Sequence, residues 1–202
     1  MNSVNTLIVL VNLLNGLFRT PKIEQFNSLI GWLNANGYGQ FETHDLDKTA
    51  LTSNAWLAGF IDADGGFKIR VSPKKTDLIT SKTLSKGRVA CSLVLEQRQV
   101  SSTGLSYEPI LNAMCLAFNC NLNLSTHGST QYFVFSLASI NQLKAMIEYL
   151  DRYPLLSSKF LDYCDWRKAF MLILDRQHLT PKGIEVITGL KSGMNRGRLT
   201  FT

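Results

Sequence analysis

Two aspartates, Asp62 and Asp64, stand two residues apart and run directly into Gly65 and Gly66. Asp62 falls inside a helical pattern set by Trp56, Leu57, Phe60 and Ile61, and Asp64 falls at the C-terminal end of that pattern. The helix dipole offers a carboxylate no stabilisation there, so an acid in that place needs compensation. A divalent cation would supply it, since hard cations favour oxygen ligands, and magnesium in particular suits phosphate chemistry. The same four residues are also what two ordinary helix-end polar groups would look like, with Asp62 making a local hydrogen bond. The pair alone leaves both readings open.

A second feature lies on the same helix. Gly59 and Ala63 are four residues apart, with Ala58 beside them, which strips one face of bulk and lets another helix approach closely. Glycine inside a helix costs about 1 kcal/mol relative to alanine, so close packing is the better account of Gly59. Two such helices side by side would bring two aspartates within the few ångströms of a paired-metal phosphodiester site. One copy cannot supply that pair.

Charge is concentrated just downstream. Lys68, Arg70, Lys74, Lys75, Lys82, Lys86, Arg88 and Arg98 face only Asp77 and Glu96 in that stretch, a local excess of six that equals the +6 of all 202 residues. A basic two-stranded ribbon fits a DNA major groove, and a Lys-rich loop can follow the phosphate backbone. A solvated sheet face would carry the same residues. Lys159, after the break at Pro154 and the serines Ser157 and Ser158, could bring a cation to a phosphate. His44, His127 and His178 have no metal-ligand spacing and read as turn and surface residues, and Trp32, Trp56 and Trp166 read as core.

The elements that must position these groups follow from periodicity. Thr52, Ser53 and Asn54 are capping candidates for the acidic helix, and the two glycines end it. Phe67, Ile69 and Val71 alternate with Lys68 and Arg70 as a strand with one apolar and one basic face. A polar loop is expected over 72–87, then a second strand through Val89, Cys91, Leu93 and Leu95. Helical spacing returns from Glu108 to Phe118. A short strand near Asn121–Leu124, a turn at His127–Ser129 and a strand over Gln131–Leu137 come next. Ser139 opens a helix to Leu150, and Ser157–Leu174 is helical again.

A hydrophobic content of 45% over this length allows a substantial core in one or two domains. Cys91, Cys115, Cys120 and Cys164 show neither CxxC nor zinc spacing and are expected to be reduced core thiols. The apolar run Thr6–Leu14 lacks a preceding basic residue and a cleavage pattern, so a signal peptide is not expected. No run approaches the ~20 apolar residues of a membrane span, and the chain is expected to be soluble. Thr-Pro-Lys occurs at Thr20 and again at Thr180, each time between helical stretches, which suggests a repeat whose first copy is represented only by its tail.

The stretch WLAGFIDADGGF, Trp56–Phe67, resembles the motif of the LAGLIDADG homing endonuclease family, with Phe60 in place of the second leucine. LVLEQR at Leu93–Arg98, YPLLSSKFLDYCDW at Tyr153–Trp166 and FRTPKI at Phe18–Ile23 resemble segments of organellar, intron-encoded members that carry two motifs. The resemblance implies an α+β fold, αββαββα per half, with a saddle-shaped four-stranded antiparallel sheet on DNA and the motif helix packed on its twin. It implies Asp64 as the Mg²⁺-binding catalytic acid, Lys159 as the lysine near the scissile phosphate, and Gln97 as the residue that orders water. It places Lys68, Arg70 and Arg88 on the DNA-facing strands.

Only seventeen residues precede Phe18, so the chain looks like the second half of a two-motif protein. The expected organisation is a helical tail over 1–50, a LAGLIDADG domain over 51–175 and a basic helical extension over 176–202. Two functions stay open. One is Mg²⁺-dependent double-strand DNA cleavage with a second motif-bearing chain or as a homodimer. The other is noncatalytic binding of structured RNA, as a maturase-like factor or beside organellar rRNA and ribosomal proteins. Both imply a mitochondrion, or a chloroplast, and no membrane.

Overall fold

The computed structural model describes residues 3–76 and 83–198, with the side chains of 73–76 and 83–86 outside the description. Two helices, α1 (Val4–Leu14) and α2 (Ile23–Ala35), precede α3 (Trp56–Asp64), the helix that carries both aspartates. Then follow β1 (Gly65–Thr76), β2 (Thr83–Arg98), α4 (Glu108–Phe118), β3 (Asn123–His127), β4 (Thr130–Leu137), α5 (Ile140–Arg152), α6 (Lys159–Leu174) and α7 (Pro181–Ser192). From α3 to α5 the order is αββαββα, and the four strands form one antiparallel sheet in the order β1-β2-β4-β3.

Alternation decides which way the sheet faces. Phe67 and Ile69 on β1 pair with Leu93 and Cys91 on β2, and all four are buried beneath the helices. Phe133, Phe135 and Leu137 extend that buried face onto β4. Lys68, Arg70, Arg88, Glu96 and Arg98 are exposed on the other face, which no helix among the described residues covers. The β3–β4 hairpin closes through Gly128 and Ser129, with Gly128 at φ 61°, the positive φ that the first position of a II′ turn requires.

The expected 72–87 loop is mostly strand. Pairing continues through Ser72↔Arg88, Lys74↔Lys86 and Lys75↔Ser85 to Thr76↔Thr83, which leaves only 77–82 between the strands. Pro73 lacks an N–H, and it is tolerated because β1 is an edge strand. The third strand also starts later than expected, at Asn123, and runs through His127, where the turn was anticipated.

The helices pack on the inner face. α6 lays Trp166 against Phe67 with ring centroids 5.2 Å apart, and Phe170 stacks on the same indole. α5 starts at a capping box formed by Ser139 and Gln142, and near its end Tyr149 reaches the start of α3. Ile187 of α7 and Met194 after it share this core, so the C-terminal extension packs as part of it. Val11, Phe26, Ile30 and Leu33 form a separate apolar cluster between α1 and α2. The first Thr-Pro-Lys precedes α2 and the second opens α7, and only Thr180 caps its helix, through Gly183 N–H. Thr20 is buried instead.

All four cysteines are free thiols, though Cys164 is exposed on α6 and is not a core residue. Trp166 is core, but Trp32 is 47% exposed and rests on Tyr38. Among the described residues no helix is long and apolar enough to cross a membrane.

Candidate functional site

The two ends of α3 are set by different partners. At its start, the Tyr149 hydroxyl donates to Asn54 O at 2.8 Å and accepts from Ala58 N–H at 2.9 Å, while Tyr153 donates to Ser53 O. Asn54 is the capping candidate that engages the helix, accepting from Trp56 N–H. At its end the chain must leave a helix and enter a buried strand at once. A Cβ on Gly65 would sit 2.7 Å from Ile61 O and 2.8 Å from the Ile61 side chain, so only glycine fits there.

Asp62 and Asp64 have different surroundings. Asp62 accepts from the backbone N–H groups of Leu156 and Ser157 at 2.9 Å each, and from the Ser157 hydroxyl. Burial alone would raise its pKa, but these three hydrogen bonds and the Lys159 ammonium together hold it below the usual carboxylate value. Asp64 is exposed, and among the described residues its carboxylate makes no hydrogen bond or ion pair.

Lys159, at the start of α6, donates to Ile61 O at 3.1 Å and to Ala63 O at 3.3 Å, the terminal carbonyls of α3. Burial lowers its pKa, and Asp62, Asp64 and Asp162 partly offset that effect. Gln97 and Asp64 line one groove of ≈ 440 Å³ with Gly59, Phe60, Ala63, Trp56, Tyr107 and the 14–22 segment. The fold therefore brings Asp64 and Gln97 to one groove, with Lys159 touching the backbone beside Asp64.

Gly59 and Ala63 are exposed on the groove side of α3, and a Cβ at Gly59 would meet nothing within 4 Å. Ala58, grouped with them on sequence, turns the other way and is buried in the chain's own core. The reason is angular: at about 100° per residue Ala58 lies about 60° from the buried Ile61 but about 140° from Ala63.

Lys68, Arg70, Arg88 and Arg98 are exposed on the open sheet face. Lys74, Lys75 and Lys86 lie on β1 and β2, but their side chains are outside the description, and Lys82 lies outside the described residues altogether. On the same face His127 pairs with Glu96 at 2.8 Å, bridging β3 and β2 across β4.

Sequence reasoning missed two contributors. Tyr107 is buried at the groove, its hydroxyl pKa raised by burial and then by the negative charge of Asp64. Arg19 is 4% exposed and fixes the groove's other wall, donating to Thr49 O and Thr49 Oγ1 at 2.6 Å, pairing with Asp47 at 2.7 Å and lying 5.6 Å from the Trp56 ring centroid. A buried arginine within FRTPKI carries no periodic signal, since its partners are 28 and 30 residues away.

With this geometry in place, a family model for LAGLIDADG endonucleases matches residues 57–170, and the chain belongs to that family. It is 32% identical to the intron-encoded DNA endonuclease aI3 of Saccharomyces cerevisiae, over 96% of this chain and 52% of that protein. It is 33% identical to the probable intron-encoded DNA endonuclease aI1 of Mycosarcoma maydis, over 57% of this chain and 96% of that protein. The chain spans about half the length of the first of these, and 45% of an uncharacterized cox1 intron-2 protein of Schizosaccharomyces pombe.

Among solved structures, meganuclease I-SmaMI bound to uncleaveable DNA is similar with TM-score 0.57 and 27% identity, over 72% of this chain and 46% of that one. The homing endonuclease I-TnaI shares the fold with TM-score 0.54 and 21% identity, over 71% of this chain and 88% of that one.

Proposed function

We propose that this chain supplies one half of a LAGLIDADG endonuclease that cleaves both strands of DNA with Mg²⁺ once a second motif-bearing half docks on α3. The observation that carries the reading is the open groove-side face of α3. Gly59 and Ala63 leave room for a helix, and the unengaged Asp64 carboxylate sits at the end of that face. The names of the intron-encoded relatives support an organellar site of action, the mitochondrion first.

The donor set fits magnesium as half a site. Asp64 offers a hard carboxylate ligand on the same groove as Gln97, and no group of three or more His, Cys, Asp or Glu residues able to hold a metal occurs among the described residues. A twin carboxylate, the DNA phosphate and water would fill the remaining positions. When bound there, Mg²⁺ supplies charge neutralisation at the phosphate and a more acidic water.

The protein's own residues do the rest. Asp64 anchors the site at the two-helix seam, and the Gln97 amide orients the attacking water. Lys159 uses two of its three N–H donors on α3 carbonyls and presents the third to a phosphate oxygen. Lys68, Arg70, Arg88 and Arg98 hold the DNA backbone and read its major groove from the open sheet face.

The test is gentle purification of the native chain, identification of every protein and nucleic acid that accompanies it, and assay of the sample for Mg²⁺-dependent cutting of a genomic DNA library. Recovery with a second motif-bearing chain and specific double-strand cuts that EDTA abolishes is the expected result. Recovery in an rRNA-containing particle without nicking would replace this reading with the noncatalytic RNA-binding one.

A further inference from the structure

The end of α3 and the start of α6 cap each other. The Asp62 carboxylate accepts the N–H groups of Leu156 and Ser157 just ahead of α6, and the Lys159 ammonium donates to the Ile61 and Ala63 carbonyls in the last turn of α3. Ser157 links the two halves of this exchange. Its hydroxyl donates to Asp62 and accepts the Lys159 backbone N–H at 3.1 Å.

Lys159 has three carboxylates around it, Asp62, Asp64 and Asp162. Asp62 is taken up by its three donors. Asp162 accepts Asn195 N–H at 3.1 Å and Arg198 Nε–H at 2.9 Å, and Arg198 also binds Asp165 at 2.6 Å. Neither makes an ion pair with the ammonium, which donates instead to the α3 carbonyls next to Asp64.

We propose that Asp62 is a positioning residue: by capping the first turn of α6 through Ser157, it fixes the Lys159 ammonium on the Ile61 and Ala63 carbonyls and aims the remaining N–H at a phosphate oxygen beside Asp64. The aim toward phosphate rests on the nuclease reading above. The capping exchange does not, and it is tested separately.

The first measurement uses the full chain alone, labelled with ¹⁵N-lysine. A lysine ammonium held on two carbonyls exchanges its protons slowly enough to give a resolved ¹⁵Nζ signal at low temperature, and the signal that disappears in Lys159→Met is that of Lys159. Asp62→Asn and Ser157→Ala should both lose it, and Ser157→Thr, which restores the hydroxyl, should return it. If Asp62→Asn fails to fold, the Ser157→Ala and Ser157→Thr pair decides the question. Survival of the signal in folded Asp62→Asn or in Ser157→Ala overturns the proposal.

The second measurement is cleavage by the reconstituted pair. Asp62→Asn should lower kcat on the order of 10²-fold with DNA affinity held within about twofold, as expected when a catalytic group is displaced by roughly 1 Å. Weakened DNA binding with kcat intact overturns the proposal. A wild-type pair that binds DNA without cutting it defeats the nuclease reading and with it the aim toward phosphate, while the ammonium signal still decides whether Asp62 holds Lys159.

Discussion

The inner and outer faces of α3 differ sharply. The inner face, Leu57, Ala58 and Ile61, is sealed into the core, and Asp62 beside it is saturated with hydrogen bonds. The outer face, Gly59, Ala63 and Asp64, has no side chain filling the space over Gly59 and a carboxylate with no hydrogen-bond partner among the described residues. Two aspartates with a single residue between them thus differ: Asp62 is tied to the 156–157 segment, and Asp64 makes no hydrogen bond among the described residues.

Substitutions should separate the two faces. The largest effect is expected from Asp64→Asn, which should lower cleavage by a reconstituted pair on the order of 10³-fold, the scale of losing one preorganised electrostatic group. Thermal melting of the isolated chain should not change, and a marked drop in Tm would erase the distinction between the faces. On the inner face, Ile61→Ala removes a fully buried side chain and should cost about 2–5 kcal/mol in urea unfolding.

Asp62→Asn should cost less, about 0.5–1.5 kcal/mol, because it weakens hydrogen bonds to exposed donors and leaves the packing intact. Stability equal to wild type would mean that the 156–157 segment finds other partners. Gly59→Ala should stabilise the isolated chain by up to about 1 kcal/mol, since the new methyl meets nothing and the helix gains propensity. Gly59→Leu should leave the isolated chain folded while blocking association with the second half, measured by sedimentation.

The smallest effect is a pH dependence. The folded pKa of Asp62 lies below its unfolded value, so its contribution to stability is fully present above the ordinary aspartate value near 4 and is lost as pH falls through the folded value. Urea midpoints between pH 5 and pH 2.5 should therefore fall less steeply for Asp62→Asn than for wild type. Parallel curves would show that Asp62 does not carry this linkage.

The elements that proved easiest to see in sequence are those with one buried face. Phe67, Ile69 and Val71 against Lys68 and Arg70, and the alternation from Val89 to Leu95, mark β1 and β2 because a half-buried strand must place apolar side chains at every second position. From Ser72 onward the backbone pairing continues through a polar stretch that contains a proline, and such a stretch reads as loop in sequence.

The sequence by itself determined the family motif, the αββαββα order and the placement of an acid at the end of a helix, because these depend on local spacing and on the glycine that Ile61 O requires at position 65. Only the tertiary structure decided that Asp62 is occupied while Asp64 is not, that Ala58 faces inward, and that Lys159 rests on the end of α3. Those outcomes depend on donors and acceptors more than 90 residues apart in the chain, which no local pattern records and which only the placement of α5 and the 156–159 segment beside α3 brings within hydrogen-bond reach.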